Sequence, residues 1–339
     1  MLFRAKAPLR LSFGGGGTDV PPFPETEGGS VLSATINRYA YGTLKTRTDE
    51  QINLRSLDFG VTVSYTLEDK LAYDGRLDLV KAAIRHVGIP QTGFDLFLHS
   101  DAPPGSGLGA SSAMMVALVG LLNDWHGLAL TDYAIADYAC RIERQELGIL
   151  GGLQDQYAAT FGGFNFIEFF GDRVIVNPLR ISPQVQNELQ YNLLLAFTGR
   201  TRLSSGIIED QVERYRSQET DSLEALREIK RLSVEIKNCL LQNRLDRFGA
   251  LLDEEWRHKK RMSARISTPE LDAVYEAALS AGATGGKVTG AGGGGYMLLY
   301  CPQESRHEVA RRLTELGCSL ADFSFEPTGL QTWRVHEHG

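Results

Sequence analysis

A run of small residues, PPGSGLGASS at residues 103–112, carries the strongest chemical signal in the sequence. Its three alternating glycines let successive backbone N–H groups converge on one anion. A helix predicted to begin near Ser111 would add its positive end and its free N–H groups. We therefore expect a phosphate cradle here. The residues predicted to contact a nucleotide are Pro104, Gly105, Ser106, Gly107, Leu108, Gly109, Ala110, Ser111 and Ser112.

Two other interpretations of this run stay open from the residues alone. The spacing Gly105-x-Gly107-x-x-Ala110 formally satisfies the dinucleotide fingerprint of pyridine-nucleotide oxidoreductases. In that fold, however, the glycines follow a strand directly, whereas five residues separate them from the predicted strand here. The run could also be a plain helix-entry turn. No G-x-x-x-x-G-K-[ST] segment is present, so a nucleoside-triphosphate cradle of another type is favoured.

Glycine clusters elsewhere mark places where the backbone turns sharply or approaches a ligand closely. Of the 36 glycines, 21 fall into seven clusters, which lie between apolar runs instead of in the serine-rich stretches of a linker. The clusters are at residues 14–17, 28–29, 105–109, 148–152, 162–163, 285–286 and 290–295.

Hydrophobic patterning predicts the elements that position these clusters. A strand over residues 2–13 enters the first cluster, and a strand at 94–99 and a buried helix from about Ser111 to Trp125 flank the phosphate run. The other predicted strands are at 30–48, 51–67, 164–180 (with a turn at 171–172), 193–197, 296–300 and 318–324. The other predicted helices are at 78–87, 132–146, from 153 or 154, within 204–262, at 269–280 and at 303–316.

Length and composition exclude several protein classes. The 339 residues suggest about two domains, and 42% hydrophobic with 23% charged residues is typical of a globular protein. The net charge of −7 argues against nucleic acid as a partner. No apolar run is long enough for a membrane span, and no signal-peptide pattern begins the chain. We therefore expect a cytoplasmic protein whose four cysteines are reduced.

Three motifs, in order, resemble those of the GHMP kinases, the superfamily of galactokinase, homoserine kinase, mevalonate kinase and phosphomevalonate kinase. PPGSGLGASSA resembles the second motif of that family. RLSFGGGGTD at residues 10–19 is similar to the sugar-kinase first motif, and KVTGAGGGG at residues 287–295 is similar to the third. The resemblance implies transfer of a phosphoryl group from ATP to a substrate hydroxyl.

The resemblance also implies which side chains act. The family's catalytic aspartate falls on Asp155, where it would accept the proton of the substrate hydroxyl or orient that hydroxyl. Arg10 matches the arginine beside that aspartate and would stabilise charge on the transferred group. The plainer alternatives are a helix cap for Asp155 and a strand-end arginine for Arg10.

The expected cofactors are ATP and Mg²⁺. For Mg²⁺, which prefers hard oxygen ligands, the family supplies one hydroxyl and one glutamate. These fall on Ser111 and on Glu143, in the segment CRIERQELG. Glu146 is the weaker alternative, and Glu143 could instead pair with Arg141 or Arg144 on a solvated helix face.

The sugar-binding aspartate of galactokinases falls on Asp19. Gly16 and Gly17 stand where galactokinases carry Glu and His, so galactose itself is not expected. The predicted substrate-binding residues are Gly16, Gly17, Thr18, Asp19, Gly152, Arg202, Gly292 and Gly293.

A narrower resemblance concerns the substrate. FGGGGTD, GGLQDQYAATFGGFNF, VNPLRI and TGRTR together resemble the D-glycero-D-manno-heptose 7-phosphate kinases. They imply phosphorylation of the anomeric C1 hydroxyl to the 1,7-bisphosphate, for GDP-heptose and surface-glycan synthesis. The alternatives are a kinase for fucose, galactose or an octose, and a nucleotide-binding regulator without catalysis.

A sugar phosphate bound to an acidic protein requires a local cation, usually Arg or Lys. The candidates outside the long helices are Lys6, Arg10, Arg38, Arg173, Arg180, Arg200, Arg202 and Lys287.

The fold that the resemblance implies is α+β with two domains. Residues 1–182 would form an N-terminal domain similar to ribosomal protein S5 domain 2. Residues 183–339 would form a ferredoxin-like C-terminal domain with added helices. The active site would lie in the cleft between them, and a homodimer is possible.

Overall fold

The first strand leads into the first glycine cluster, and its burial follows the hydrophobic pattern of the sequence. The computed structural model of the chain describes residues 1–88, 91–201 and 205–335. Strand β1, Leu2–Gly14, alternates buried and more exposed side chains at its start and is buried throughout from Ala7 to Gly14. Because both faces of that second half are covered, apolar residues are accommodated there at neighbouring positions.

The other elements of the described residues comprise both strands and helices. The strands are β2 Gly29–Thr46, β3 Gln51–Ser56, β4 Val61–Thr66, β5 Phe94–Ser100, β6 Phe164–Phe170, β7 Arg173–Pro178, β8 Leu193–Phe197, β9 Gly285–Val288, β10 Tyr296–Tyr300, β11 Ser319–Ala321 and β12 Gln331–Val335. The helices are α1 Phe23–Thr26, α2 Asp78–Val87, α3 Ala110–His126, α4 Asp132–Arg141, α5 Gln154–Phe161, α6 Pro183–Asn192, α7 Ser205–Arg216, α8 Thr220–Leu241, α9 Phe248–Met262, α10 Pro269–Ser280 and α11 Gln303–Glu315. A π-helical turn, Ile142–Glu146, continues α4, and a 3-10 turn, Leu245–Arg247, precedes α9.

The larger sheet has eight strands in the described residues, with the order β12-β1-β2-β5-β3-β4 and a branch in which β6 pairs with β2 and β7. Its pairings are antiparallel except for β3 with β5. Helix α3 packs against β1 and β2 of this sheet and is buried along most of its length. A helix that is apolar on nearly all sides requires such a buried position, and its fixed position in turn fixes the loop that precedes it.

The smaller sheet has the order β11-β8-β10-β9, and all its pairings are antiparallel. Helix α9 packs against β9, and α8 packs against α9 and against β1 and β2 of the larger sheet. The fully buried Trp256 of α9 is part of the core on this side. The two sheets are therefore connected through α8 and α9, and the Lys287 side chain of β9 donates to the Phe13 carbonyl of β1 at 3.4 Å.

One segment differs from its sequence-based prediction, and two others form elements that the sequence patterns did not predict. The predicted single strand at 51–67 is a hairpin of β3 and β4, because residues 57–60 form a turn. The polar stretch SPQVQNE, for which no element was predicted, is the start of α6, where the Ser182 hydroxyl accepts a hydrogen bond from the Val185 N–H at 3.3 Å. Strand β12 follows the smaller sheet in sequence yet pairs with β1 of the larger one. The boundary between residues 182 and 183 remains a prediction.

The α+β arrangement expected from the sequence is present. Among the described helices, none combines the length and the apolar character needed to cross a membrane.

Candidate active site

A cleft of about 500 Å³ lies where β1, the loop before α3, the start of α5 and helix α9 meet. All three glycine-rich motifs contribute residues to its wall, although they are far apart in sequence. The predicted site residues on this wall are Arg10, Gly16, Gly17, Asp19, Pro104, Gly105, Ser106, Gly107, Gly109, Ala110, Ser111, Ser112, Glu143, Gly152, Asp155 and Gly292. The structure therefore gathers most of the predicted residues around one cavity.

Four predicted site residues are not among the described residues that line the cleft. Leu108 is fully buried and anchors the loop in the core. The Thr18 hydroxyl donates to the Gly15 carbonyl at 2.8 Å and accepts from the Ser30 N–H at 3.0 Å, so it holds the turn of the first motif together. Gly293 donates its N–H to the Ile266 carbonyl at 2.8 Å. Arg202 lies outside the described residues.

The loop before α3 has a conformation that depends on glycine. Gly105, Gly107 and Gly109 have φ angles of 74°, 82° and 77°, in the left-handed region that residues with a Cβ rarely adopt. The loop is tied to β1, where the Arg10 N–H donates to the Leu108 carbonyl at 3.0 Å. No side chain caps the N-terminus of α3, so the N–H groups of its first turn are available to an anion.

Arg10 connects the phosphate loop to Asp155. Its Nε and Nη2 atoms each lie 2.7 Å from Asp155 Oδ1, and Nη1 donates to the Gly107 carbonyl at 2.6 Å. The side chain of Arg10 is almost completely buried, whereas Asp155 retains access to the cleft. Asp155 also packs against the loop, since a Cβ on Gly109 would lie 3.2 Å from Asp155 Cγ. The predicted pair is thus formed and is fixed to the loop.

Asp19 is buried at the floor of the cleft and accepts several hydrogen bonds. Its carboxylate accepts from the N–H of Gly17 at 3.0 Å and from the N–H and the Nε2 of Gln154, both at 3.1 Å. Burial raises the pKa of Asp19, the backbone hydrogen bond from Gln154 opposes this, and the nearby Asp155 charge adds to the rise. Gly152 must lack a side chain because a Cβ there would overlap Asp19 Oδ2.

Glu143 lies in the π-helical turn after α4 and is buried beside the start of α3. The hydroxyl of Ser112 donates to Glu143 Oε2 at 2.9 Å, and Gln156 Nε2 donates to both Glu143 and Ser112. Burial raises the pKa of Glu143, while the nearby Arg144 lowers it. The serine that contacts the glutamate is therefore Ser112, whereas the predicted metal ligand, Ser111, has an exposed side chain on the cleft wall.

The third motif is held to the first by a buried ion pair. Lys287 Nζ lies 2.6 Å from Glu255 Oε2, and Glu255 Oε1 accepts from the Gly15 N–H at 3.0 Å. Both side chains are almost completely buried. Lys287, considered above as a phosphate-binding cation, is thus engaged by a carboxylate that also fixes the glycine cluster at the end of β1.

Sequence reasoning missed several residues that line the cleft or support its wall. Gln154 and Gln156 flank Asp155 in α5, and their amides hold the two buried carboxylates, but a glutamine in a helix gives no signal of such a role. Phe59, Ile149 and Leu150 form an apolar part of the wall, with 62%, 40% and 43% of their surfaces exposed. Exposure of three large apolar side chains in one cavity is visible only in the folded chain.

The sequence matches two family models and is similar to a protein of known name. The model of the GHMP kinases N terminal domain matches residues 78–163, and that of the GHMP kinases C terminal matches residues 235–317. A Campylobacter jejuni protein named D-glycero-alpha-D-manno-heptose 7-phosphate kinase is 39% identical over 337 residues, which is 98% of this chain and 99% of that protein.

Solved structures agree with the sequence matches. A crystal structure described as a D-glycero-D-manno-heptose 1-phosphate kinase from Bacteroides thetaiotaomicron is 34% identical, with a TM-score of 0.83 over 99% of this chain and 100% of that one. Galactokinase from Lactococcus lactis, solved with galactose, shares the fold at 20% identity, with a TM-score of 0.77 over 97% of this chain and 95% of that one. The two-domain fold implied by the motifs is therefore confirmed, and the chain belongs to the GHMP kinase family.

Proposed function

We propose that this GHMP kinase transfers the γ-phosphoryl group of ATP to the anomeric hydroxyl of D-glycero-D-manno-heptose 7-phosphate, forming the 1,7-bisphosphate. The observation that carries the proposal is the Arg10–Asp155 pair, with 2.7 Å between nitrogen and oxygen, joined to the phosphate loop at the edge of the cleft. The names of two similar proteins both contain this heptose, one as a 7-phosphate and one as a 1-phosphate.

In this proposal Asp155 accepts the proton of the sugar hydroxyl. The hydroxyl oxygen forms its bond to the γ-phosphorus, and the bond from that phosphorus to the departing ADP oxygen breaks. Arg10 holds the aspartate in place and offsets negative charge as the phosphoryl group moves. Positioning and charge stabilisation supply most of the catalysis in such a transfer.

Asp19 supports a sugar ligand by its position and chemistry. A buried carboxylate at the cleft floor can accept hydrogen bonds from sugar hydroxyls, which then replace water near it. Gly16 leaves room above it, because a Cβ there would meet no atom closer than 3.6 Å. The absence of a larger side chain at Gly16 favours a sugar bulkier than galactose, whereas the Met262 side chain fills the space beside Gly17.

The nucleotide would bind with its phosphates against the loop and the uncapped N-terminus of α3. The apolar wall of Phe59, Ile149 and Leu150 would suit the faces of a purine base. In this arrangement the phosphate end of the nucleotide would lie beside Arg10 and Asp155.

The residues present also fit Mg²⁺. Glu143 supplies a buried carboxylate, and Ser111 and Ser112 supply hydroxyl oxygens, which is the donor chemistry that Mg²⁺ prefers. When bound, the ion would neutralise phosphate charge. Gln156 orients the glutamate by its hydrogen bond, as outer partners do for carboxylate ligands.

The proposal is tested by measuring ADP release with Mg-ATP against a panel of sugars. The panel contains D-glycero-D-manno-heptose 7-phosphate, the corresponding 1-phosphate, unphosphorylated heptose, sedoheptulose 7-phosphate, mannose 6-phosphate, galactose and fucose. The 7-phosphate should be the best substrate. The 1-phosphate should be inert at C1, because its anomeric oxygen already carries phosphate.

Turnover of an unphosphorylated sugar alone would refute the heptose 7-phosphate assignment while leaving a sugar kinase. Turnover of the heptose 1-phosphate would refute transfer to the anomeric oxygen. Nucleotide binding without turnover of any sugar would favour the alternative function, a nucleotide-binding regulator without catalysis.

A further inference from the structure

Lys259 is a buried lysine on the cleft wall with no assigned role. It lies on α9, close to the end of the helix, and only 3% of the residue is exposed. Its Nζ donates to the carbonyl of Gly290 and, at 3.5 Å, to that of Val288. Both acceptors are uncharged, so they satisfy hydrogen bonds of the ammonium without neutralising it.

The other cations of the cleft are already paired. Within the parts of the chain that the structure describes, four lysines and arginines line the cleft: Arg10, Arg144, Lys259 and Lys287. Arg10 and Lys287 each lie within 3 Å of a carboxylate, and Arg144 lies 3.8 Å from Glu143. Considering carboxylates of the described residues alone, Lys259 is the one of these four without a carboxylate within 4 Å, so its ammonium group is available to an anion.

The surroundings of Lys259 make a bound anion favourable. The pKa of Lys259 is lowered to about 7, mainly by burial and in addition by the charges of Lys287 and Arg10. Glu255 and Asp19 act in the opposite direction. These are the charged groups that face it from β9, β1, its own helix and the first motif. A phosphate dianion beside Nζ would stabilise the ammonium form.

The position of Lys259 relates it to the phosphate loop. A Cβ on Gly290 would lie 2.6 Å from Gly107 Cα, so the carbonyl that Lys259 holds belongs to a turn packed directly on the loop. Arg10 holds the Gly107 carbonyl from β1. Two cations, one from β1 and one from α9, thus hold the two contacting turns.

We propose that Lys259 binds a phosphoryl group in the cleft, so that helix α9 supplies a second cation to the active site. This inference rests on the proposed function. The phosphoryl group has two sources, the γ-phosphate in transfer and the phosphate of the sugar, and the test separates them.

The test is isothermal titration calorimetry at pH 8 in two buffers of different ionisation enthalpy, which counts the protons taken up on binding. Lys259 is mostly neutral at pH 8 and should take up close to one proton when a phosphate binds beside it. Phosphate groups, with a second pKa of about 6, are already dianionic and contribute little. The ligands are the magnesium complex of a non-hydrolysable ATP analogue and, separately, D-glycero-D-manno-heptose 7-phosphate.

Proton uptake with the nucleotide analogue would identify the γ-phosphate as the group that Lys259 binds. Proton uptake with the sugar phosphate would identify the phosphate of the sugar instead. Lys259→Met should lose that uptake and lose about 10- to 100-fold in kcat/KM, the scale of a charged hydrogen bond. Lys260→Met is the control. It removes a lysine charge at the neighbouring, partly exposed position that pairs with Asp272, and it should retain both the proton uptake and the wild-type kcat/KM.

Wild-type protein that binds both ligands without proton uptake would overturn the inference, and this arm needs no variant to fold. A Lys259→Met protein with wild-type uptake and rate would also overturn it. If the sugar phosphate fails to bind, the proposed substrate is wrong, while the nucleotide arm still tests Lys259.

Discussion

At the scale of single residues, the site depends on carboxylates that are held by specific donors. Asp155 is held by Arg10, Asp19 by Gln154 and the N–H of Gly17, and Glu143 by Ser112 and Gln156. Each carboxylate therefore has a fixed orientation before a ligand arrives. Such preorganisation lowers the reorganisation needed during phosphoryl transfer.

Asp155→Asn should lower kcat by about 10²- to 10⁴-fold, the usual effect of removing a general base. Nucleotide affinity should change little, because the loop N–H groups stay in place. Steady-state kinetics and titration with an ATP analogue measure the two effects. Asp172→Asn, in the exposed turn between β6 and β7, is the matched control and should keep full activity. A normal rate for Asp155→Asn would remove the proposed mechanism.

Glu143→Gln should raise the Mg²⁺ concentration that gives half-maximal rate by about tenfold or more, because an amide carries no charge for the ion. The measurement is the rate as a function of Mg²⁺ at fixed ATP. Glu146→Gln is the control, since Glu146 bonds to the Tyr73 hydroxyl and does not line the cleft. Equal Mg²⁺ requirements for the two variants would exclude Glu143 as a ligand.

At the scale of elements, the phosphate loop before α3 packs closely against the glycine-rich turn of the third motif. Gly107 has no room for a side chain, because a Cβ there would lie 2.5 Å from the Thr289 carbonyl oxygen. The Tyr296 N–H donates to the Ser106 carbonyl at 3.0 Å, so β10 also holds the loop. The second and third motifs are therefore one structural unit despite their separation in sequence.

Gly107→Ala should weaken nucleotide binding and destabilise the fold by about 1–3 kcal/mol, since alanine is strained at a positive φ and would push the two turns apart. Thermal unfolding and nucleotide titration measure this. Gly206→Ala is the control: its φ is not in the left-handed region, and a Cβ there would meet only the flexible Arg265 side chain at 3.5 Å. Unchanged nucleotide binding in Gly107→Ala would contradict this close packing of the two turns.

Sequence predicted elements well where local signals were strong. Helix α2 begins and ends at the predicted residues, and β1 and α3 lie within a residue or two of theirs. The pairing of β12 with β1 was not foreseeable, because it is a contact between the two ends of the chain. The choice of Ser112 over Ser111 as the partner of Glu143 depends on the rotation of α3, which neighbouring helices and strands determine.

At the scale of the whole molecule, charged residues from distant parts of the chain converge in the cleft. Lys259 comes from α9 and Lys287 from β9, whereas Arg10 comes from β1, Asp19 from the turn after β1 and Asp155 from α5. The chain as a whole has a net charge of −7. The cations that line the cleft are thus concentrated at the junction of the two sheets, which net charge could not reveal.

This junction should give the molecule a pH-dependent stability. The pKa of Lys259 is about 7 in the folded chain against 10.5 ordinarily, so between these values the unfolded chain binds more protons. The free energy of unfolding should therefore rise with pH above 7 through the Lys259 contribution. Chemical denaturation from pH 7 to 9.5 measures it. Lys259→Met should reduce the slope relative to wild type and to Lys260→Met, and an unchanged slope would contradict a neutral buried lysine.

The identity of the phosphorylated product tests the central claim most directly. Phosphorus NMR of a reaction with D-glycero-D-manno-heptose 7-phosphate, Mg²⁺ and ATP follows both the sugar and the nucleotide. We predict a new phosphorus signal coupled to the anomeric proton, appearing in step with ADP while the 7-phosphate signal persists. A new signal coupled to any other carbon's proton, or ATP consumption without a new sugar phosphate, would contradict the account.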